Sequence, residues 1–166
     1  MPELNEWMKL FRSTNPIVRK RALEAILKRD EPELCSFVLS VFVEYYCQGF
    51  GAALERWLTT HKCPGTVEAM ISALKQKDPL IREGACIVLG SIGDRKATWP
   101  LVHALSDRKM PVRRQAAYAL VQIGDPDSAN AIKTRYAKSR KDDINVRFAL
   151  ECALRKLGVD FEEWPL

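Results

Sequence analysis

The chain has 166 residues, 47% hydrophobic and 28% charged, with a formal net charge of +5. This is a globular composition of ordinary domain length, or of one short repeat array, which excludes a disordered tail and a collagenous chain. The basic excess is smaller than a dedicated nucleic-acid binder usually carries.

The first residues, Met-Pro-Glu-Leu-Asn-Glu-Trp, lack the basic-then-apolar pattern of an export signal. The longest apolar stretch, Phe37 to Val43 with Ser40 inside it, is too short to span a bilayer as a helix. Cys35, Cys47, Cys63, Cys86 and Cys152 are scattered, odd in number and without a CxxC pair. They read as reduced thiols used as small hydrophobes, in a cytoplasmic protein with no membrane contact. His61 and Cys63 with Cys47 match no common zinc spacing, so neither a metal nor a cofactor is expected.

In chain order, the apolar pattern predicts ten helices. An amphipathic stretch at 3–12 is followed by a helix that starts near Pro16. A strongly apolar segment at 32–46 is followed by 50–60, with Leu54, Trp57 and Leu58. Segment 66–75 carries Val67, Met70, Ile71 and Leu74, and a helix opens at Pro79. Segment 96–105 carries Trp99, Leu101, Val102 and Leu105, and a helix opens near Pro111. Segment 128–138 carries Ile132 and Tyr136 and precedes the last helix, around Arg147. No run alternates with the two-residue period of a strand.

The second helix of each pair repeats a pattern. Arg19, Arg82, Arg113 and Arg147 each follow Val or Ile, and are followed three residues later by Ala22, Ala85, Ala116 and Leu150. Seven residues on come Ile26, Leu89, Leu120 and Leu154. Three copies close on Ile92-Gly93, Ile123-Gly124 and Leu157-Gly158, where glycine suits a left-handed cap. The offsets draw one apolar helical face and predict Ala85, Leu89, Ile92, Ala116, Leu120, Ile123 and Leu154 as core. The arginines are 63, 31 and 34 residues apart, so a degenerate copy lies in the first, doubled interval. The repeats fall at 3–29, 31–60, 65–92, 95–123 and 127–158 of a single domain, with a tail at 159–166 that would cap the open end of the core.

The runs Asp78-Pro-Leu-Ile-Arg-Glu-Gly-Ala-Cys-Ile-Val-Leu-Gly-Ser-Ile-Gly-Asp94 and Met110-Pro-Val-Arg-Arg-Gln-Ala-Ala-Tyr-Ala-Leu-Val-Gln-Ile-Gly-Asp125 resemble the HEAT-like repeats of the phycobilisome-lyase group. The resemblance is strong over 65–158, fair over 15–29 and poor over 30–64. It implies an all-α fold, a right-handed α-α superhelix of five helix pairs. It also implies a scaffold for other macromolecules, with tetrapyrrole attachment to phycobiliproteins in some members and DNA binding in a distant branch.

Asx residues four positions before Arg19, Arg82 and Arg147 can cap their helices, so the arginine stripe reads as a structural ladder to acidic caps. Lys109 breaks that pattern in the fourth repeat. By resemblance, the second helices line a concave surface. Their positions away from the apolar stripe hold Glu83, Ile87, Arg114, Tyr118, Phe148 and Arg155, a mixture suited to a protein partner or to filling space between repeats. Lys133, Arg135, Lys138, Arg140 and Lys141 form a second, basic candidate for nucleic acid, diluted by Asp142 and Asp143. The aromatics of 30–64 fit either a repacked joint or a self-association patch, so the chain is a monomer or a weak homodimer.

Two histidines, no GxSxG, HExxH, Walker loop or GxGxxG, and an exposed acidic tail give catalysis no support. The four tryptophans are dispersed at core-like positions. The sequence therefore reads as a non-catalytic scaffold or adaptor that binds a protein. A nucleic-acid-binding repeat protein and a phycobilin-lyase-like accessory protein are the alternatives.

Overall fold

The computed structural model describes residues 4–29, 34–61, 63–139 and 144–159. These residues form ten α-helices and no strand. In chain order they are α1 (Leu4–Phe11), α2 (Pro16–Ile26), α3 (Leu34–Tyr45), α4 (Gly51–His61), α5 (Thr66–Ala73), α6 (Pro79–Ile92), α7 (Thr98–Ala104), α8 (Met110–Ile123), α9 (Ala129–Lys138) and α10 (Ile144–Lys156). The chain divides into two compact units, residues 1–64 and 65–166. The dividing point falls between the second and third helix pairs.

Local chemistry sets the ends of the repeated helices. Asn15 and Asp78 accept hydrogen bonds from the backbone N–H of Ile17 and Leu80, and Pro16 and Pro79 stand where no N–H is needed. In the fourth repeat Lys109 supplies no cap. Asp107 instead accepts the Lys109 N–H at 2.8 Å. Gly93 and Gly124 take left-handed conformations and return their N–H groups to Leu89 and Leu120.

In the first unit α1 packs on α2 and α3 on α4. Phe11 is buried in an aromatic cluster with Phe37, Tyr45 and Phe50. Of the aromatics of 30–64 that the repeat rule left unexplained, Phe50 and Trp57 are buried, Trp57 beside a stacked His61, and Tyr45 and Tyr46 are half-buried. One expectation is corrected here. Cys35 and Cys63 are not reduced thiols; they form a disulfide across a sequence separation of 28. It joins the first turn of α3 to the residues after α4. Spacing within the sequence could not reveal the pair, because two helices must fold antiparallel before their open ends meet.

In the second unit α6, α8 and α10 lie side by side, and α5, α7 and α9 each pack on the following helix. Ala85, Leu89, Ala116, Leu120 and Leu154 are buried there as the periodicity requires. Ile92 and Ile123 are only half-buried, because each is the last residue of its helix before a glycine cap. Trp99 departs further from its core assignment and is 54% exposed. Helix α7 buries Thr98 and Leu101, and Leu105 just beyond it, which turns Trp99 and His103 to the opposite side.

The arginine stripe is structural, through backbone carbonyls as well as the expected acidic partner. Arg19 donates to the carbonyls of Ser13 and Thr14, Arg82 to those of Gln76 and Lys77, and Arg113 to that of Asp107. Each guanidinium thus reaches back five or six residues and satisfies carbonyls of the loop that joins its helix to the preceding one. Arg82 also makes the expected ladder contact, a fork-shaped pair at 2.7 and 2.9 Å with the Asp107 carboxylate, which accepts the Lys109 N–H at the start of α8. Arg147 turns to Tyr136, donating to its hydroxyl and lying over its ring.

Candidate partner-binding surface

Helices α6, α8 and α10 bury one face each, so the residues that follow their arginines are turned outward. The six residues singled out on them separate into two kinds. Glu83 and Arg114 face each other from α6 and α8 with 3.9 Å between their charged atoms. Glu151 and Arg155 pair along α10 at 2.7 Å. These cations are therefore locally neutralised. The apolar members differ in exposure: Tyr118 is 37% and Phe148 59% exposed, and Ile87 is half-buried. Ile144, at the start of α10, is exposed as well.

Gly90 belongs to the same outward series by spacing, and the structure places it differently. It is buried against α8, because the close approach of α6 and α8 leaves no room for a side chain. Lys156, unremarkable in sequence, crosses from α10 to donate to the carbonyls of Val121 and Gln122 at the end of α8. This lysine secures the geometry of the face, and no local pattern announces it.

Of the basic cluster, Lys133, Arg135 and Lys138 are among the described residues, all on α9. Arg135 is half-buried and donates to the Leu105 carbonyl at 2.7 Å, so it joins α9 to the end of α7. Lys133 is half-buried and Lys138 exposed. Arg140 and Lys141, like the tail at 160–166 with Phe161 and Trp164, lie outside the described residues. Among the described residues no group of three or more His, Cys, Asp or Glu side chains is placed to hold a metal ion. None of the described helices is long and apolar enough to cross a membrane.

Helix pairs repeated along the chain, stacked in the second unit through the α6, α8 and α10 layer and locked by Arg19, Arg82 and Arg113 in three of the pairs, define an α-helical repeat protein. The sequence matches the family of HEAT repeats over residues 51–108 and again over 67–155. The chain belongs to the HEAT repeat family. Two crystal structures of engineered proteins share its fold. One is 17% identical, with a TM-score of 0.59 over 95% of this chain and 80% of that one. The other is 18% identical, with a TM-score of 0.59 over 93% of this chain, which spans 47% of its length. No match was found among curated proteins.

Proposed function

We propose that this protein is a non-catalytic HEAT-repeat scaffold that binds a protein partner through the exposed side of α6, α8 and α10. The observation that carries the reading is the exposure of Tyr118 and Phe148 on the neighbouring helices α8 and α10, with Ile144 exposed at the start of α10. Aromatic anchors surrounded by polar groups are what protein interfaces concentrate their binding energy on. The paired charges Glu83–Arg114 and Glu151–Arg155 form a rim of low net charge, which suits a protein better than a polyphosphate backbone. HEAT repeats commonly mediate interactions of this kind.

The residues that resemble phycobilisome-lyase-type repeats, 78–94 and 110–125, are largely those that build caps, arginine locks and helix joints. That resemblance bears on architecture more than on chromophore chemistry, so the reading stays with a scaffold, acting as a monomer or weak dimer. With Cys35 and Cys63 bonded, the cysteine pattern no longer argues for the cytoplasm.

The test is affinity capture from the native source with the wild-type chain and with the double variant Tyr118→Ala/Phe148→Ala. The reading expects a partner lost with the double variant while the helical circular dichroism signal is unchanged. Capture unaffected by the two changes, or steeply salt-dependent nucleic-acid binding lost on neutralising Lys133 to Lys141, would overturn it.

A further inference from the structure

We propose that a groove between α5 and α7 is a second docking site, which takes a short acidic peptide segment bearing one bulky apolar side chain. Helix α5 buries Thr66, Met70 and Ala73, and α7 buries Thr98 and Leu101. Ile71 on α5 and Lys75 in the turn just after it, and Trp99 and His103 on α7, are each four residues apart and line the outward side. Between them lies a groove of about 560 Å³, floored by Ile71, Leu74, Trp99 and Pro100. That size falls within the range of ligand sites.

Two features select the occupant. The first is the indole of Trp99, 54% exposed, which presents apolar surface that a partner side chain would take out of water. The second is charge. Asp107 supplies the groove's carboxylate, but Arg82 and the Lys109 N–H occupy both of its oxygens. The Lys75 ammonium makes no ion pair, and the His103 ring no hydrogen bond, among the described residues. An apolar floor beside uncommitted donors, with its one acid already neutralised, attracts carboxylates flanking an apolar anchor. The groove uses none of the residues of the α6, α8 and α10 side, so it stands or falls separately from the proposed scaffold surface.

The experiment is fluorescence anisotropy with labelled, capped pentapeptides in which aspartate and glutamate flank a central tryptophan, leucine or alanine. A fourth peptide carries lysine in place of the acids around tryptophan. The tryptophan and leucine peptides should bind, the alanine peptide roughly tenfold or more weakly, and the lysine peptide not measurably. Trp99→Ala should weaken binding roughly tenfold, Trp99→Phe less, and Lys75→Glu several-fold. Tyr118→Ala/Phe148→Ala should leave it unchanged. Trp99 and Lys75 are exposed, so these variants keep the fold, which circular dichroism verifies. Absence of binding by both anchored peptides at millimolar concentration would overturn the proposal. So would binding indifferent to Trp99→Ala and Lys75→Glu, or equal binding of the lysine peptide.

Discussion

Gly90 lies so close to Ala119 that a methyl group built on it would sit 2.7 Å from the Ala119 α-carbon. The neighbouring Gln122 carboxamide could swing away, but the α8 backbone cannot. Two effects compete when Gly90 becomes alanine. Helix propensity favours alanine by about 1 kcal/mol. Overpacking against backbone costs typically ~1–3 kcal/mol. We expect the clash to win, so Gly90→Ala should lower the urea midpoint without altering helix content. An unchanged or raised midpoint would show that α6 and α8 can move apart at no cost.

Asp107 carries a pH dependence. Burial pushes its pKa up, but the Arg82 guanidinium and the Lys109 N–H outweigh burial and hold it below the ordinary aspartate value of 3.8. A carboxylate with a depressed folded pKa contributes stability above its unfolded pKa and loses it as pH falls through the folded one. Acid unfolding should therefore steepen below about pH 4. Asp107→Asn should flatten that limb while lowering stability at neutral pH. Arg82→Ala should cost roughly 2–4 kcal/mol, since it strands the carboxylate and the carbonyls of Gln76 and Lys77. Acid limbs that coincide for wild type and Asp107→Asn would refute the assignment.

The disulfide should matter most to the α3–α4 pair. In α2, α6 and α8 the fourth residue is the locking arginine; in α4 that place holds the buried Leu54. The pair is tied at its open end by Cys35–Cys63 instead. Cys63→Ser, or reduction by a dithiol, should cost about 2–4 kcal/mol. Hydrogen exchange should show the loss in residues 34–61 and spare the amides of α6 and α8. Equal loss across both units would contradict a local role.

The remaining thiols should differ sharply in reactivity. Burial pushes the Cys86 thiol up to about 12, and its side chain is fully enclosed, whereas Cys47 is exposed. Alkylation of the native protein near neutral pH should label Cys47 first and leave Cys86 unmodified until the chain unfolds. Early labelling of Cys86 would mean that α6 opens locally.

Much of the fold was legible because its rules are short-ranged. The apolar offsets around Arg82 and Arg113, the Asx-Pro helix starts and the closing glycines all act within about four turns of helix. Tyr118 and Phe148 were legible as outward positions for the same reason. What the sequence hid depends on contacts between helices. The phase of α7 follows from which of its neighbouring residues the α8 side can accommodate, and that placed Trp99 in solvent. The burial of Gly90, the reach of Lys156 and the union of Cys35 with Cys63 each need two elements already in place. Arg135 looked like one cation among five, and only the nearby Leu105 carbonyl distinguishes it.

The arginine locks have an evolutionary consequence. Because Arg19, Arg82 and Arg113 all look backward to carbonyls at most six residues away, each lock travels with its own pair when the gene segment is copied. A duplication spanning one period would insert a self-sufficient pair, and a deletion of one period would leave the remaining locks whole. The forward link from Arg82 to Asp107 would be cut by a breakpoint between their repeats, and the links from Arg135 to Leu105 and from Lys156 to Val121 by one at the next joint. The locks thus leave the array free to lengthen or shorten by whole pairs, and the joints after α6 and after α8 are where recombination would leave a scar.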